Sequence, residues 1–570
     1  MATQVESNGT SGSTSQTQPV YEVLANEIKQ LGTECVFGLM SDDTAAFAVT
    51  LDAVGVPFIG ARHENAAISM AEGYAAATGG LGIAVVGRGP ATANGLHASV
   101  YALRSGSQVL IIYGEAAINP GANGLGPDYK AFDAKAVLGS AGLPVFCPAS
   151  PAVAQNTLRD AAVSAMSGEA TALLLPIDIQ AAEVVPDGRG APARRANAVK
   201  PASQASIDVA AGLLGQSERP LIIAGRGAFH AGARAAIEQL AERTGALLAT
   251  SARGKEMFDG SPYNLGIIGS FSTSVARRYI EQADCVVTFG ASLNLYTTSR
   301  GMSIPKVPVV HVDTARDHIG RWLSVDVAVV GDAAEVAGRL CEAVPARAAD
   351  RKPFHAAAVL NEVAEFDIRS EFQAAHTPRT MDPRMLGLAL SDLLPADRSV
   401  VYDAGHFLGV VPYIKVPDPD HFKFTTDFAS IGIGFGAALG FARARPDKTT
   451  VLMIGDGGLM MTLSELETVA REDLPIVIIV MNDCAYGAEL HVLRPHQLPV
   501  EKSLFPDIEF ADVAACFGFE SATVRTLDEL QRLAPMLSNP QGPVLIDCKI
   551  NQEVVAPFMG ELVAAEAHED

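Results

Sequence analysis

Residues 450–483 read TVLMIGDGGLMMTLSELETVAREDLPIVIIVMND, and this stretch limits the possible folds more than any other. An apolar run, TVLMI, enters a Gly-Asp-Gly-Gly turn. A helical pattern follows, with Thr462 or Ser464 as cap residues and apolar positions at Leu463, Leu466 and Val469. A second apolar run then ends at Asn482-Asp483. Continuous apolar strands joined by a helix belong to a parallel sheet covered on both faces. Such a connection brings the carboxyl ends of both strands to one sheet edge, where α/β proteins bind ligands. Asp456 and Asp483, 27 positions apart, are therefore expected side by side.

The same rhythm recurs along the chain. Strand-like runs stand at 56–61, 82–87, 109–114 and 172–176; then at 220–225, 285–290 and 307–313; then at 399–403, 450–456, 475–483 and 543–547. Two aperiodic stretches separate the three groups: 184–203, rich in Pro, Arg and Ala, and 346–380, which flanks one amphipathic helix. The pattern predicts three parallel-sheet α/β domains at 19–183, 204–345 and 381–557. Residues 1–18 form a polar Ser/Thr/Gln stretch read as a disordered tail, and 558–570 is read as a C-terminal tail.

Composition narrows the function classes. Seven scattered cysteines with no CxxC argue for reduced thiols in a cytoplasmic setting and against a zinc site. A formal charge of −22 argues against nucleic acid or an anionic membrane as partner. The longest apolar runs are strand-sized, too short to span a bilayer. An anionic ligand therefore needs a local cation or backbone amides to hold it.

Two carboxylates beside glycine amides at a helix start suit a hard cation holding a diphosphate, because Mg²⁺ favours one or two carboxylates plus phosphate oxygens and water. A GDG turn alone is common; its pairing with Asp483 across a strand–helix–strand unit is not. The pattern resembles the GDG…NN signature of thiamine-diphosphate-dependent enzymes, specifically the acetohydroxyacid (acetolactate) synthase and pyruvate or benzoylformate decarboxylase group. The resemblance covers about 19–557, in the order pyrimidine-binding, central and diphosphate-binding domain. It implies a Mg²⁺ held by Asp456, Asp483 and the carbonyl of Ala485, with Asp483 standing where the family has a second Asn. It also implies cofactor contacts from Gly455, Gly457, Gly458 and Tyr486.

Other segments extend the likeness. FASIGIGFGAALG (428–440) resembles the family segment before the metal motif. There Ile431 would bend the cofactor, and the carbonyl of Ala429 would receive its aminopyrimidine amine. DAGHF (403–407) stands where the family grips the diphosphate, implicating Gly405, His406 and Phe407. RHENAAISMAEGYA (62–75) places Glu64 on one helical stripe with Ala67, Ile68, Ala71 and Ala75. A first-turn glutamate is favoured by the helix dipole alone. The segment is similar to the family's RHE-x-x-A…MA-x-GYA, whose glutamate hydrogen-bonds the cofactor's pyrimidine nitrogen, implying a catalytic Glu64. GRGPATANG (87–95) resembles SGPGATN through Asn94, with Arg88 and Ala91 as departures. Glu489, six residues after Asp483, matches a decarboxylase glutamate near the reacting carbon, and it equally suits a solvated first helical turn.

The departures surround the substrate. FGLMS (37–41) lacks the Pro and Gly of FG-x-PG, 121–135 carries no clear substrate-side Gln, and there is no adjacent His pair. In the central block GRGAFHAG (225–232) is a lone GxG without a following ribose-binding acid, so FAD or another nucleotide is a weak expectation. The expected activity is cleavage or formation of a C–C bond beside a carbonyl, on a 2-oxo acid, acetolactate-synthase-like. A non-ligating decarboxylase or acyloin lyase is the alternative; more distant ones are an NAD(P)-dependent oxidoreductase and a non-catalytic relative. The family likeness further implies a homodimer or homotetramer with active sites at subunit interfaces, acting on a 2-oxo acid or acyloin.

Overall fold

The computed structural model describes residues 16–119, 128–190, 199–347 and 352–569. It contains three six-stranded sheets, each wholly parallel, beside a two-residue antiparallel pair. The chain divides into two compact units, before and after residue 195; the first holds one sheet and the second holds two.

In the first unit the strands lie in the order Phe58–Gly60, Val36–Gly38, Gly82–Val86, Val109–Glu115, Thr171–Pro176, Val145–Phe146. Counted along the sheet's own strands this is 2-1-3-4-6-5. The last sheet repeats that order with Phe422–Phe424, Ser399–Tyr402, Thr450–Gly455, Ile476–Asn482, Val544–Lys549 and Glu520–Val524. The middle sheet runs Asn264–Ile267, Leu247–Thr250, Pro220–Ala224, Cys285–Phe289, Val309–Asp313, Val327–Val330, the 3-2-1-4-5-6 order of dinucleotide-binding folds. The first and third blocks thus share a topology that their sequences show only as rhythm. Each order reverses between two neighbouring strands, and a parallel sheet opens a crevice at that point.

The central strands are apolar throughout and buried along their whole length, as at Ile476–Asn482 and Thr171–Pro176. Covering helices leave no wet face, so the strands carry no alternation. The helix Glu64–Thr78 departs from the one-stripe expectation. Its first three turns are buried almost all round, and it packs on Gly82–Val86 and on the helix Pro90–Ser105. Small residues permit that approach: a Cβ on Gly82 would sit 2.0 Å from the Ala71 carbonyl oxygen.

Three boundaries differ from the reading of the sequence. Of residues 558–570, expected as a tail, 558–569 belong to the helix Pro557–Glu569. Gln18 and Val184, expected in a tail and a linker, pair as strand partners, and residues 1–15 and 191–198 lie outside the described residues. The helix Ala357–Glu365, inside the expected second linker, lays Val359, Leu360 and Val363 on the core of the middle sheet. Among the described residues no helix is long and apolar enough to cross a membrane.

Candidate active site

In the last sheet the order reverses between Ser399–Tyr402 and Thr450–Gly455, and the residues that follow these strands wall a cavity of about 630 Å³. Gly405, His406 and Phe407 leave the first strand; Gly455, Asp456, Gly457 and Gly458 leave the second. Asp483, Ala485, Tyr486 and Glu489 follow the third, Ile476–Asn482, and Ala429 and Ile431 precede the helix Ile433–Ala444. Every candidate residue of this unit lines the one cavity. Thr462 and Ser464 make no side-chain cap. The helix expected after the glycines instead begins at Asp456 and restarts at Glu465, so Asp456 sits in a first helical turn.

Backbone geometry holds these groups in place. Asp403, which the sequence reading passed over, is buried and accepts hydrogen bonds from the amides of Gly432 (2.7 Å) and Gly434 (2.9 Å). It thereby ties the end of one strand to the start of Ile433–Ala444, and burial pushes its carboxyl up to about 6. Two non-glycine residues at the site adopt left-handed backbone, Ala429 (φ 52°) and Cys484 (φ 57°). Such strain is found where the surroundings over-determine the chain, commonly at ligand sites. Both flank carbonyls that the family likeness assigns to binding, those of Ala429 and Ala485.

The electrostatics centre on the acid pair. Asp456 and Asp483 are 7% and 6% exposed. Burial pushes the Asp456 carboxyl up to about 6, and burial together with the Asp456 charge pushes Asp483 well above the usual range. His406 Nε2 lies 3.7 Å from Asp483 Oδ2, but burial drives its pKa down to about 3, so the ring is neutral and offsets no charge. Asp483 Oδ2 is buried without a hydrogen-bond partner. A Cβ on Gly487 would come within 2.5 Å of that oxygen and 2.2 Å of His406 Nδ1, so the glycine keeps the space open. Among the described residues no group of three or more His, Cys, Asp or Glu side chains is placed for a metal. The donor set is thus two carboxylates and a carbonyl, which fits an ion that completes its shell with phosphate and water oxygens.

In the first unit, Glu64 opens its helix behind the N-cap His63 and is 9% exposed. Asn94 Nδ2 donates to Glu64 Oε2 at 3.1 Å, so these two candidates meet. The departures from the family pattern also meet: Arg88 pairs with Asp43 (2.8 Å) and Asp128 (2.5 Å), and Lys130 pairs with Asp43 (2.8 Å) and with Asp42. Of the loop 121–135, residues 121–127 lie outside the described residues. In the middle sheet, Cβ atoms on Gly225 and Gly227 would fall 2.2 and 3.1 Å from the Gly290 backbone. Close packing of two turns therefore accounts for the GxG without a nucleotide.

Family comparisons agree with this geometry. The N-terminal TPP binding domain of thiamine pyrophosphate enzymes matches residues 19–124, the central domain 207–340 and the C-terminal TPP binding domain 403–548. The chain belongs to the thiamine pyrophosphate enzyme family. A probable acetolactate synthase large subunit from Methanocaldococcus jannaschii is 25% identical, covering 94% of this chain and 93% of its own. A probable 2-ketoarginine decarboxylase from Pseudomonas aeruginosa is 28% identical, covering 93% of each. A solved Rhodococcus jostii thiamine diphosphate-dependent 4-hydroxybenzoylformate decarboxylase superposes with a TM-score of 0.79 over 94% of this chain and 99% of its own, at 20% identity, which bears on fold alone. The protein is a thiamine-pyrophosphate-type enzyme with lyase and transferase relatives.

Sequence reasoning missed part of the cavity. Ser270, Tyr296 and Arg300 reach it from the middle sheet, and Phe558, Met559 and Glu561 from the C-terminal helix. Arg300 lies in the connection after Cys285–Phe289, a strand identified from its apolar run, so the rule that ligands collect at strand carboxyl ends could have found it.

Proposed function

We propose that the protein uses thiamine diphosphate and Mg²⁺ to cleave or form the C–C bond next to the carbonyl of a 2-oxo acid, in the manner of the acetolactate synthases. The observation that carries this reading is the buried Asp456–Asp483 pair at a switch-point crevice, with neither acid paired to a Lys or Arg among the described residues. When bound, thiamine diphosphate supplies a nucleophilic carbon and an electron sink for bonds beside a carbonyl.

The chain's own residues do the rest. Asp456, Asp483 and the Ala485 carbonyl hold the metal, and the amides of 455–458 at the start of a helix receive the diphosphate. Ile431 would lie against the cofactor, and the Ala429 carbonyl would accept from its amine. Glu64, steadied by Asn94, holds a proton at the pyrimidine nitrogen. Glu489 lies on the cavity wall, exposed, where a departing carboxylate or an incoming proton would pass. Glu64 of one subunit completes the site of another in a homodimer or homotetramer, and a cytoplasmic setting suits the unpaired cysteines.

The test is removal and return of the cofactors. Dialysis against EDTA should abolish release of CO₂ from pyruvate, 2-oxobutyrate and benzoylformate, and Mg²⁺ with thiamine diphosphate should restore it. Full activity in exhaustively stripped protein, or stripped protein that takes up no thiamine diphosphate, sinks the reading.

A further inference from the structure

A strap of the middle sheet, residues 251–258, follows the strand Leu247–Thr250 and lies against the loops of the last sheet. Its far end is sunk in the middle core, where Met257 and Phe258 are buried. Gly254 presses on the neighbouring strand, since a Cβ there would fall 2.8 Å from the Ala224 carbonyl oxygen. Two cations of the strap bind the last sheet's loops. Lys255 Nζ donates to the carbonyls of Val411 (3.0 Å) and Ile414 (2.5 Å), at the end of the short 3₁₀ helix His406–Tyr413. Arg253 Nη2 donates to Asp427 Oδ2 at 2.5 Å.

Asp427 belongs to the segment 425–432, which brings Ala429 and Ile431 to the cavity wall. Both ends of that segment are tied within the last sheet. Thr425 donates to the Tyr402 carbonyl through its amide (3.2 Å) and its hydroxyl (3.1 Å), and the Gly432 amide donates to Asp403 at 2.7 Å. Between these ends Ala429 holds left-handed backbone (φ 52°) despite its Cβ. Such a conformation persists only where the surroundings fix it. The Arg253–Asp427 pair pins the middle of the segment from outside its own sheet. At 29% and 18% side-chain exposure the pair adds little to folding. Its larger effect is geometric: a guanidinium on a rigid strap fixes the carboxylate, and with it a carbonyl two residues further on.

Building on the cofactor reading above, we propose that Arg253 is a positioning residue, which through Asp427 sets the Ala429 carbonyl for the amine of the cofactor's aminopyrimidine. Hydrogen bonds weaken steeply once their angle is lost, so a small turn of this carbonyl costs the amine contact. The metal and diphosphate contacts proposed above come from 455–458 and 483–485, which follow other strands of the sheet, so they outlast such a turn. Loss of Arg253 therefore has a signature of its own: it penalises a cofactor that carries the amine and spares one that lacks it.

The test titrates the full chain with Mg²⁺ and either thiamine diphosphate or oxythiamine diphosphate, in which an oxo group replaces the amine, and reads Kd by calorimetry. The unsubstituted protein should prefer thiamine diphosphate. In Arg253→Met that preference should shrink about tenfold, the scale of one lost hydrogen bond, while the Kd of oxythiamine diphosphate moves by less than about threefold. The melting temperature of cofactor-free protein should hold, as expected for an ion pair open to water. Arg253→Lys, which restores the charge, should recover part of the preference. Should Arg253→Met fail to fold, Asp427→Asn keeps the shape of the side chain and decides the matter by the same comparison. Equal losses for both compounds, or no loss, overturn the proposal and leave the pair a plain tie between sheets. So does an unsubstituted protein that binds the two compounds equally. Unsubstituted protein that binds neither compound overturns the cofactor reading instead, and the first titration shows it.

Discussion

The first and last sheets share one strand order, 2-1-3-4-6-5, yet their switch points carry opposite charge arrangements. In the first, Asp43 is 4% exposed at its side chain and answered by Arg88 and Lys130, which hold its carboxyl below the usual range against the pull of burial. In the last, Asp456 and Asp483 are similarly buried and face each other with no ion pair to a Lys or Arg among the described residues, and their carboxyls rise. A buried charge is tolerated when paired and costly when not. The same scaffold thus yields one edge whose buried acid is answered within the chain and one whose acids, among the described residues, are not. That difference, more than the fold, is what supports the metal site proposed at the second edge.

The largest effect should come from Glu64, the proton-holding residue proposed above. Glu64→Gln preserves the shape of the side chain and its contact with Asn94 but removes the acid, so turnover should fall by about 100-fold or more, the scale of lost general acid–base catalysis. Bound thiamine diphosphate, measured by fluorescence, should stay within about tenfold. Mixing Glu64→Gln with Asp456→Ala subunits should restore part of the activity through hybrid sites. Unchanged turnover in Glu64→Gln would return the residue to a helix-dipole role.

Removing charge from each edge should next give opposite signs. Asp43→Asn removes the buried acid that Arg88 and Lys130 share, leaving them only the more exposed Asp128 and Asp42, and should lower stability by about 1–2 kcal/mol in urea titration, below the scale of a fully broken buried pair. Because the folded carboxyl of Asp43 lies below its ordinary value, its contribution is present above about pH 4 and is lost as pH falls further. Asp456 and Asp483 behave in reverse. Their folded carboxyls bind protons more readily than the unfolded chain does, so metal-free protein should gain stability as pH falls from about 7 toward 4. Melting temperature against pH should show that gain in stripped protein. Asp456→Asn should reduce it, and Mg²⁺ with thiamine diphosphate should flatten it. A stripped protein whose melting temperature drops steadily from pH 7 to 5 would contradict the unpaired acid pair.

Much of this contrast was legible before any fold was known, for a physical reason. Strands buried on both faces are long and continuously apolar, so runs such as 109–114 and 475–483 were visible, and the strand–helix–strand rule put Asp456 beside Asp483. What stayed hidden depends on distant partners. Val36–Gly38, Val145–Phe146 and Phe422–Phe424 are too short to show a period and exist because a neighbouring strand pairs with them. The C-terminal helix reads as a tail until Phe558 meets Phe271 and Tyr296, with ring centroids 6.0 and 5.9 Å apart. Arg88 looked like a lost motif residue, yet it is half of an ion pair whose acid lies 45 positions away.

Glu489 sharpens the comparison at the smallest scale, because it is an exposed carboxylate on the last sheet's side with no ion pair among the described residues. It stands in the first turn of Gly487–Leu493, where the dipole favours it regardless of function. Two features argue for more than that. The residue lines the cavity, and Leu490 beside it is buried, fixing the face of the helix that Glu489 borders. Releasing an aldehyde requires delivery of a proton to the reacting carbon, whereas trapping by a second carbonyl forms a C–C bond there instead. Glu489→Gln should therefore depress aldehyde release more than acyloin formation from the same 2-oxo acid. Because water reaches an exposed side chain and can supply the proton in its place, the difference should be about tenfold, below the range of a sequestered general acid. Product ratios by gas chromatography at matched turnover provide the measure. Equal losses in both products would leave Glu489 as a helix-start charge.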